Sequence, residues 1–202
     1  MVFSWLYRRF SCQEGERLAR LLKDYKDRLD KDNIFKQDLL MDFIGNNIVV
    51  KEKTLSEDIK LKLTLNNKKF VVTFKAWKYE RTDQVHEIIA ENIFPFQVSY
   101  NVRHEACLFE CIGAGDRFIV LRTSRLKYPI KVKRYSIEAT DSLYRGPWIN
   151  ILSFKTRKLL AKNLMEMGIT NEFIGNCIEL ARDKYKRLNS TWADKIHNFL
   201  NN

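Results

Sequence analysis

Seven consecutive residues, Ile59-Lys-Leu61-Lys-Leu63-Thr-Leu65, alternate apolar and polar without a break. A period of two fits a strand and no helix, so Ile59, Leu61, Leu63 and Leu65 share one face while Lys60, Lys62 and Thr64 share the other. A strand of this kind belongs in an antiparallel sheet with one face packed and one face wet. Asn66-Asn67 supplies a turn, and Phe70 to Tyr79 returns. The pattern predicts further strands at 94–102, 105–112, 118–123 and 130–137, with Gly113-Ala-Gly115-Asp116 as a tight hairpin connection rather than a phosphate-binding loop. In the returning strand, Trp77 and Tyr79 lie on the parity opposite to Phe70, Val72 and Phe74. Apolar on both faces, it is central to a covered sheet or part of a subunit interface. Stacking of the two aromatics on RNA bases is the alternative.

The last sixty residues change period. Ile151, Leu152, Leu159, Leu160, Leu164 and Met165 follow Tyr144-Arg-Gly-Pro-Trp148 at helical spacing and are expected on one face, with Gly168 as the left-handed stop and Ile169 just beyond. Thr170 or Asn171 caps a second helix, along which Leu188, Trp192, Ile196 and Phe199 form a stripe. Arg182, Lys184, Lys186 and Arg187 read as its solvated face, with a phosphate-contacting strip as the alternative. At the other end of the chain, Leu18, Leu21, Leu22, Tyr25 and Leu29 give a helical pattern, and Leu39, Leu40, Phe43 and Ile44 resume it after a charged break at Asp30-Lys-Asp32. Met1 to Cys12 carries Arg8, Arg9 and four aromatics and no acid, which reads like a mitochondrial presequence or an arm that docks on a partner.

A chain of 202 residues with 45% hydrophobic content and three Pro fills one domain and offers no low-complexity linker at which to split it. No uncharged apolar run approaches the roughly 20 residues of a spanning helix. Cys12, Cys107, Cys111 and Cys177 lack paired spacing, which favours a reducing compartment over a disulfide framework. Strands followed by helices argue for an α+β domain whose helices cover one sheet face and leave the other free.

The order Tyr-x-Gly-Pro, an amphipathic helix ending Met-Gly168-Ile-Thr-Asn171-Glu-Phe173, then a helix closing on Trp192 and Phe199-Leu200, resembles the end of the mitochondrial glycoprotein family, the acidic proteins of the mitochondrial matrix. The resemblance spans about residues 37–202 and leaves residues 1–36 as a presequence-like arm and helical extension expected to dock on a partner. It implies a highly twisted antiparallel sheet of six or seven strands, one N-terminal helix and two C-terminal helices on one face, and a doughnut-shaped trimer without enzymatic activity. Residues 37–45 are the candidate for the family's leading helix. Trp192, Ile196 and Phe199, with Trp77 and Tyr79, are the candidate subunit contacts. The family is linked to mitochondrial translation and respiratory-chain maintenance.

In charge the chain departs from that family. Residues 1–58 hold eleven Lys and Arg against eleven Asp and Glu, whereas residues 59–202 hold 25 against 14, so a surplus of +11 sits in residues 59–202, inside the family-like part. Arg117, Arg122, Arg125, Lys127, Lys131, Lys133 and Arg134 face a single acid between Asp116 and Tyr135, and are expected to form a basic ridge. Such a surface suits ribosomal RNA, an anionic lipid surface or an acidic protein partner, including a paralogue in the same ring. The bland reading is a solvated strand face. A mitoribosomal assembly and an oxidative-phosphorylation complex are both open as destinations.

No catalytic constellation is legible. His86, His104 and His197 are far apart, and His104, Cys107 and Cys111 would need a bulge to converge on a metal. Glu105 and Glu110 have opposite strand parity and form no pair. Neither a cofactor nor a metal is expected.

Overall fold

A computed structural model describes residues 12–31, 48–65, 68–76, 93–102, 105–114, 117–127 and 146–201. Six antiparallel strands pair in strict sequence order: β1 (Val49–Glu52), β2 (Asp58–Leu65), β3 (Lys68–Lys75), β4 (Ile93–Val102), β5 (Glu105–Ala114) and β6 (Arg117–Lys127). The alternation in β2 has the expected result. Ile59, Leu61 and Leu63 are buried, and they stand opposite Phe74, Val72 and Phe70 of β3. From β4 come Phe94, Phe96 and Val98 on the same face. The rings interlock across strands: Phe74 meets Phe94 edge-on at 5.3 Å, and Phe96 meets Phe118 at 6.1 Å. The β1 strand was not anticipated, because four residues of mixed character, Val-Val-Lys-Glu, carry no alternation of their own. Pairing with β2 over Val49 to Glu52 holds it at the sheet edge. The expected strand at 130–137 and the expected helix at 37–45 lie outside the described residues.

Between Glu110 and Cys111 the β5–β6 register slips. Cys111 faces Val120 and Glu110 faces Arg122, so Leu121 is the extra residue of a β-bulge. The slip decides where the arginines of β6 point. Phe118 and Val120 enter the core ahead of it, while beyond it Thr123 and Arg125 take that parity and Arg122 turns to the other face.

Helix α1 (Cys12–Lys31), α2 (Phe154–Glu166) and α3 (Asn171–Asn201) complete the described structure. Ser153 caps α2, its hydroxyl accepting from the Thr156 amide at 3.2 Å. Gly168 ends that segment at φ +88°, as its position predicted, and Ile169 beyond it is fully buried. The Phe173 amide donates to Thr170 Oγ1 at 3.1 Å, which makes Thr170 the capping side chain of α3. The first half of α3 lays Ile174, Cys177, Leu180 and Ala181 on the phenylalanine face of the sheet, joined by Leu164 of α2. The expectation of helices on one face is met.

The second half of α3 pairs with α1. Ala19 and Ala193 are buried, Lys26 Nζ donates to both Asp194 oxygens at 2.7 and 2.8 Å, and Ser190 donates to Asp30 at 3.0 Å. The successive contacts run in opposite directions along the two helices, so the pair is antiparallel. The extension assigned to a partner thus rests on the C-terminal helix of its own chain. Its Leu18, Leu22 and Leu29 pattern is what a helix needs to bury a narrow seam, whatever supplies the other side.

Candidate functional site

The arginines of β6 do not line up as one ridge. Arg117 and Arg122 share the face away from the helices because of the bulge, and Arg125 has the opposite parity. Each has company. Arg125 Nε donates to Glu105 Oε2 at 2.8 Å while its Nη2 donates to Oε1, and this exposed pair holds the Glu105 carboxyl below the usual carboxylate range. The Arg122 guanidinium stacks on Trp148, 3.3 Å from the ring centroid, and its buried Nε has no hydrogen-bond partner among the described residues. Lys127 closes β6, and Lys131, Lys133 and Arg134 lie outside the described residues.

Trp148 reaches Arg122 because the preceding chain runs against the edge of β6. Gly146 takes φ +78°, and a Cβ there would stand 2.2 Å from the carbonyl oxygen of Thr123. Glycine is therefore required twice over, by conformation and by space. This gives Gly146 of the Tyr-x-Gly-Pro motif a structural reading: it pins the approach to α2 onto the sheet edge.

The expected apolar stripe of α3 divides in two. Leu188 and Ile196 are half-buried, whereas Trp192 is 53% and Phe199 62% exposed. Trp77 and Tyr79, their proposed companions, lie outside the described residues. The first C-terminal helix also corrects its expected face. A 3-10 turn at Ile149–Ile151 precedes it, so Ile151 is off the helix. Leu159 and Leu164 are about 140° apart around a 3.6-residue helix. Leu164 is buried, while Ile151 and Phe154 are each 74% exposed and Leu159 and Met165 are also exposed. Phe154 was not singled out in the sequence, though its place one residue after a capping Ser marks it as the first helical residue.

One charged cluster was missed. Lys184, assigned to a solvated helix face, is only 1% exposed. Its Nζ donates to the Lys53 carbonyl at 2.6 Å and lies 3.7 Å from Glu52 Oε2. Arg187 donates from Nη1 and Nη2 to the same Glu52 carboxylate at 2.6 and 3.0 Å, and from Nε to Asp183 at 2.8 Å. Burial lowers the Lys184 pKa, opposed by the Glu52 charge. The cluster ties edge strand β1 to α3, and the spacing of Lys184 to Ala181, Leu180 and Cys177 along the buried side of the helix was the signal for it.

The described thiols and the described histidine are each tied up by their surroundings. Burial pushes the Cys107, Cys111 and Cys177 thiols up, so they are poor thiolates. The His197 Nδ1–H donates to the Ala19 carbonyl at 3.1 Å and its Nε2 accepts from Asn201, which makes it a fixing group between helices. Among the described residues no three His, Cys, Asp or Glu side chains gather as metal ligands. His86 and His104 lie outside those residues.

No protein-family model matches the chain, and no curated protein matches it in sequence. Solved structures do match its fold. The Trypanosoma brucei p22 protein superposes with a TM-score of 0.67 at 11% identity, covering 92% of this chain and 98% of that one. A hypothetical protein from Leishmania major, described as a sequence homologue of human p32, superposes with a TM-score of 0.60 at 12% identity, covering 76% of this chain and 82% of that one. A sheet in meander order, with helices packed on one face, is thus shared over most of each chain, and the fold is p32-like.

Proposed function

We propose that the chain is a non-enzymatic scaffold or assembly subunit of a large complex in the mitochondrial matrix, a basic member of the mitochondrial glycoprotein family that works as a trimer, alone or with paralogues. The observation that carries this reading is a p32-like fold in which Trp192 and Phe199 of α3, Phe154 of α2 and Ile151 of the turn before it are exposed. Four large apolar side chains held out on ordered elements suit surfaces that another subunit covers. Trp192, Ile196 and Phe199, with Trp77 and Tyr79, are the residues proposed for contact between subunits.

The favoured partner is the RNA of the mitoribosome or its precursors, since residues 59–202 carry a net charge of +11 and a phosphate backbone is the polyanion it neutralises best. The second reading is an accessory subunit of an oxidative-phosphorylation complex that touches protein or cardiolipin. Ile151 and Phe154 favour it, because they stand beside Lys155 and Lys158. Affinity purification of the tagged chain from mitochondria, with and without ribonuclease, separates the two. Ribonuclease-sensitive recovery of mitoribosomal proteins supports the first, and ribonuclease-resistant recovery of respiratory or ATP-synthase subunits replaces it with the second.

A further inference from the structure

On the face of the sheet away from the helices, Lys51, Lys60, Lys62 and Lys69 stand together, with Asp58 beyond Lys60 at one end of the group. Lys51 of β1 stands directly opposite Lys60 of β2. Lys62 follows two residues along β2, and Lys69 of β3, opposite Thr64, is its diagonal neighbour. Directly opposed residues on a sheet have Cβ atoms about 5 Å apart, and diagonal ones roughly 7 to 8 Å. Alternate residues along a strand are about 7 Å apart. Lys51, Lys60, Lys62 and Lys69 therefore form a continuous zigzag row across three strands.

Two features distinguish this row from an ordinary wet face. Like charges placed directly opposite each other destabilise a sheet, yet the Lys51–Lys60 pair is fixed by register. Among the described residues no carboxylate pairs with any of the four, whereas Lys75, on the same face, has Glu57 at 3.8 Å. The face is open at Lys51, Lys62, Thr64 and Lys69, which are exposed; Lys60 is half-buried, Thr73 opposite it is buried, and so are Ala106 and Ser124 on the same side of β5 and β6.

We infer that this row is a phosphate-contacting surface that binds the backbone of RNA without reading its sequence; the inference rests on the RNA reading above and locates its site. With Cβ atoms about 5 to 8 Å apart, the flexible lysine stems can set their ammonium groups against successive phosphates of one nucleic-acid strand. Lysine supplies point charges rather than the planar forks that recognise base edges. The neighbours on this face are Val49, Asp58, Thr64, Val71, Thr73, Gln97 and Ser99. None of these offers an aromatic platform for a base, so affinity comes from counterion release and is tolerant of sequence. A membrane would ask for large apolar side chains among the lysines, and beside this row stand only the small Val49 and Val71; the exposed Ile119 of the same face lies at the far edge of the sheet, on β6.

The test is binding of the full chain to a short fluorescein-labelled single-stranded RNA, followed by anisotropy between about 50 and 200 mM salt. The variant Lys51→Gln/Lys60→Gln/Lys62→Gln/Lys69→Gln should lower the slope of log K against log salt by about 3, near 0.7 for each phosphate no longer neutralised. Arg117→Gln/Arg125→Gln should leave that slope nearly unchanged. Because the row is self-repelling, the quadruple variant should melt no lower than the parent. Should it fail to fold, Lys60→Gln and Lys62→Gln taken singly should each lower the slope by about 0.7. A quadruple variant with the parent's affinity and slope overturns the site and leaves the RNA reading standing. A parent chain that ignores RNA at the lowest salt, but binds poly-glutamate or cardiolipin-containing vesicles, overturns both.

Discussion

Replacing Glu52 by Gln leaves Lys184 buried with its charge and without its carboxylate, and the structure lets the cost be bounded. Removing one partner of a fully buried ion pair costs about 3 to 5 kcal/mol. Lys184 is 1% exposed, but Glu52 retains 26% of its side-chain surface, and the Lys53 carbonyl still accepts from Nζ. Partial solvent screening and that surviving hydrogen bond bring the expected loss to about 2 kcal/mol. For a chain of this length that is roughly 4 to 8 °C in Tm. Lys184→Met behaves differently. It removes the buried charge while Glu52 keeps its bidentate contact with Arg187, so the expected change is within about 1 kcal/mol of neutral. Denaturant melts of the two single variants and the double variant measure the asymmetry, and the double variant should recover most of the loss. Equal costs for the two single variants, or an additive double variant, would refute the reasoning and make Lys184 a packing residue.

Gly146→Ala should cost roughly 2 kcal/mol or more by thermal melting, since its Cβ has no room beside Thr123 and its φ is left-handed; a change under about 0.5 kcal/mol would show that the segment leaves the sheet edge freely. The Glu105 carboxyl has a folded pKa below its unfolded one, so the Arg125 pair contributes stability above the ordinary carboxylate pKa and loses it as pH falls through the folded value. Arg125→Gln should accordingly flatten the acid limb of stability against pH, and an unchanged limb counts against the pair. Trp192→Ser/Phe199→Ser should turn a trimer into smaller species by light scattering while secondary structure is kept; a parent chain that is monomeric at micromolar concentration removes the premise. Deleting residues 1–36 should leave a cooperative melt, because the sheet core contains no residue of α1, but at lower Tm, because the Ala193 seam of α3 is uncovered. Loss of cooperative unfolding would make α1 part of the core.

Local period decided how much of this fold could be read in advance. The run from Ile59 to Leu65 is long enough to specify a strand and its faces, and Gly168 marks a helix end because only one backbone conformation suits it there. The β1 strand was hidden because four residues are too few to show a period, and it exists through pairing with β2. The arginines misled for a related reason. A bulge adds one residue to β6, and no feature of Val-Leu-Arg-Thr announces where the faces exchange. Helix α3 was legible, but that Lys184 turns inward depends on Glu52 of β1 arriving to meet it. Lys60 and Lys62 were visible on the outer face from the alternation alone; that they continue a row through Lys51 and Lys69 needed the register.

Ultraviolet cross-linking of the tagged chain inside mitochondria, with mass spectrometry of the nucleotide-bearing peptides, tests the central claim most directly. The account predicts adducts on peptides that contain Lys51, Lys60, Lys62 and Lys69, from a protein that travels with mitoribosomal particles. A chain that carries no nucleotide adduct, and is recovered instead with respiratory or ATP-synthase subunits, would contradict it.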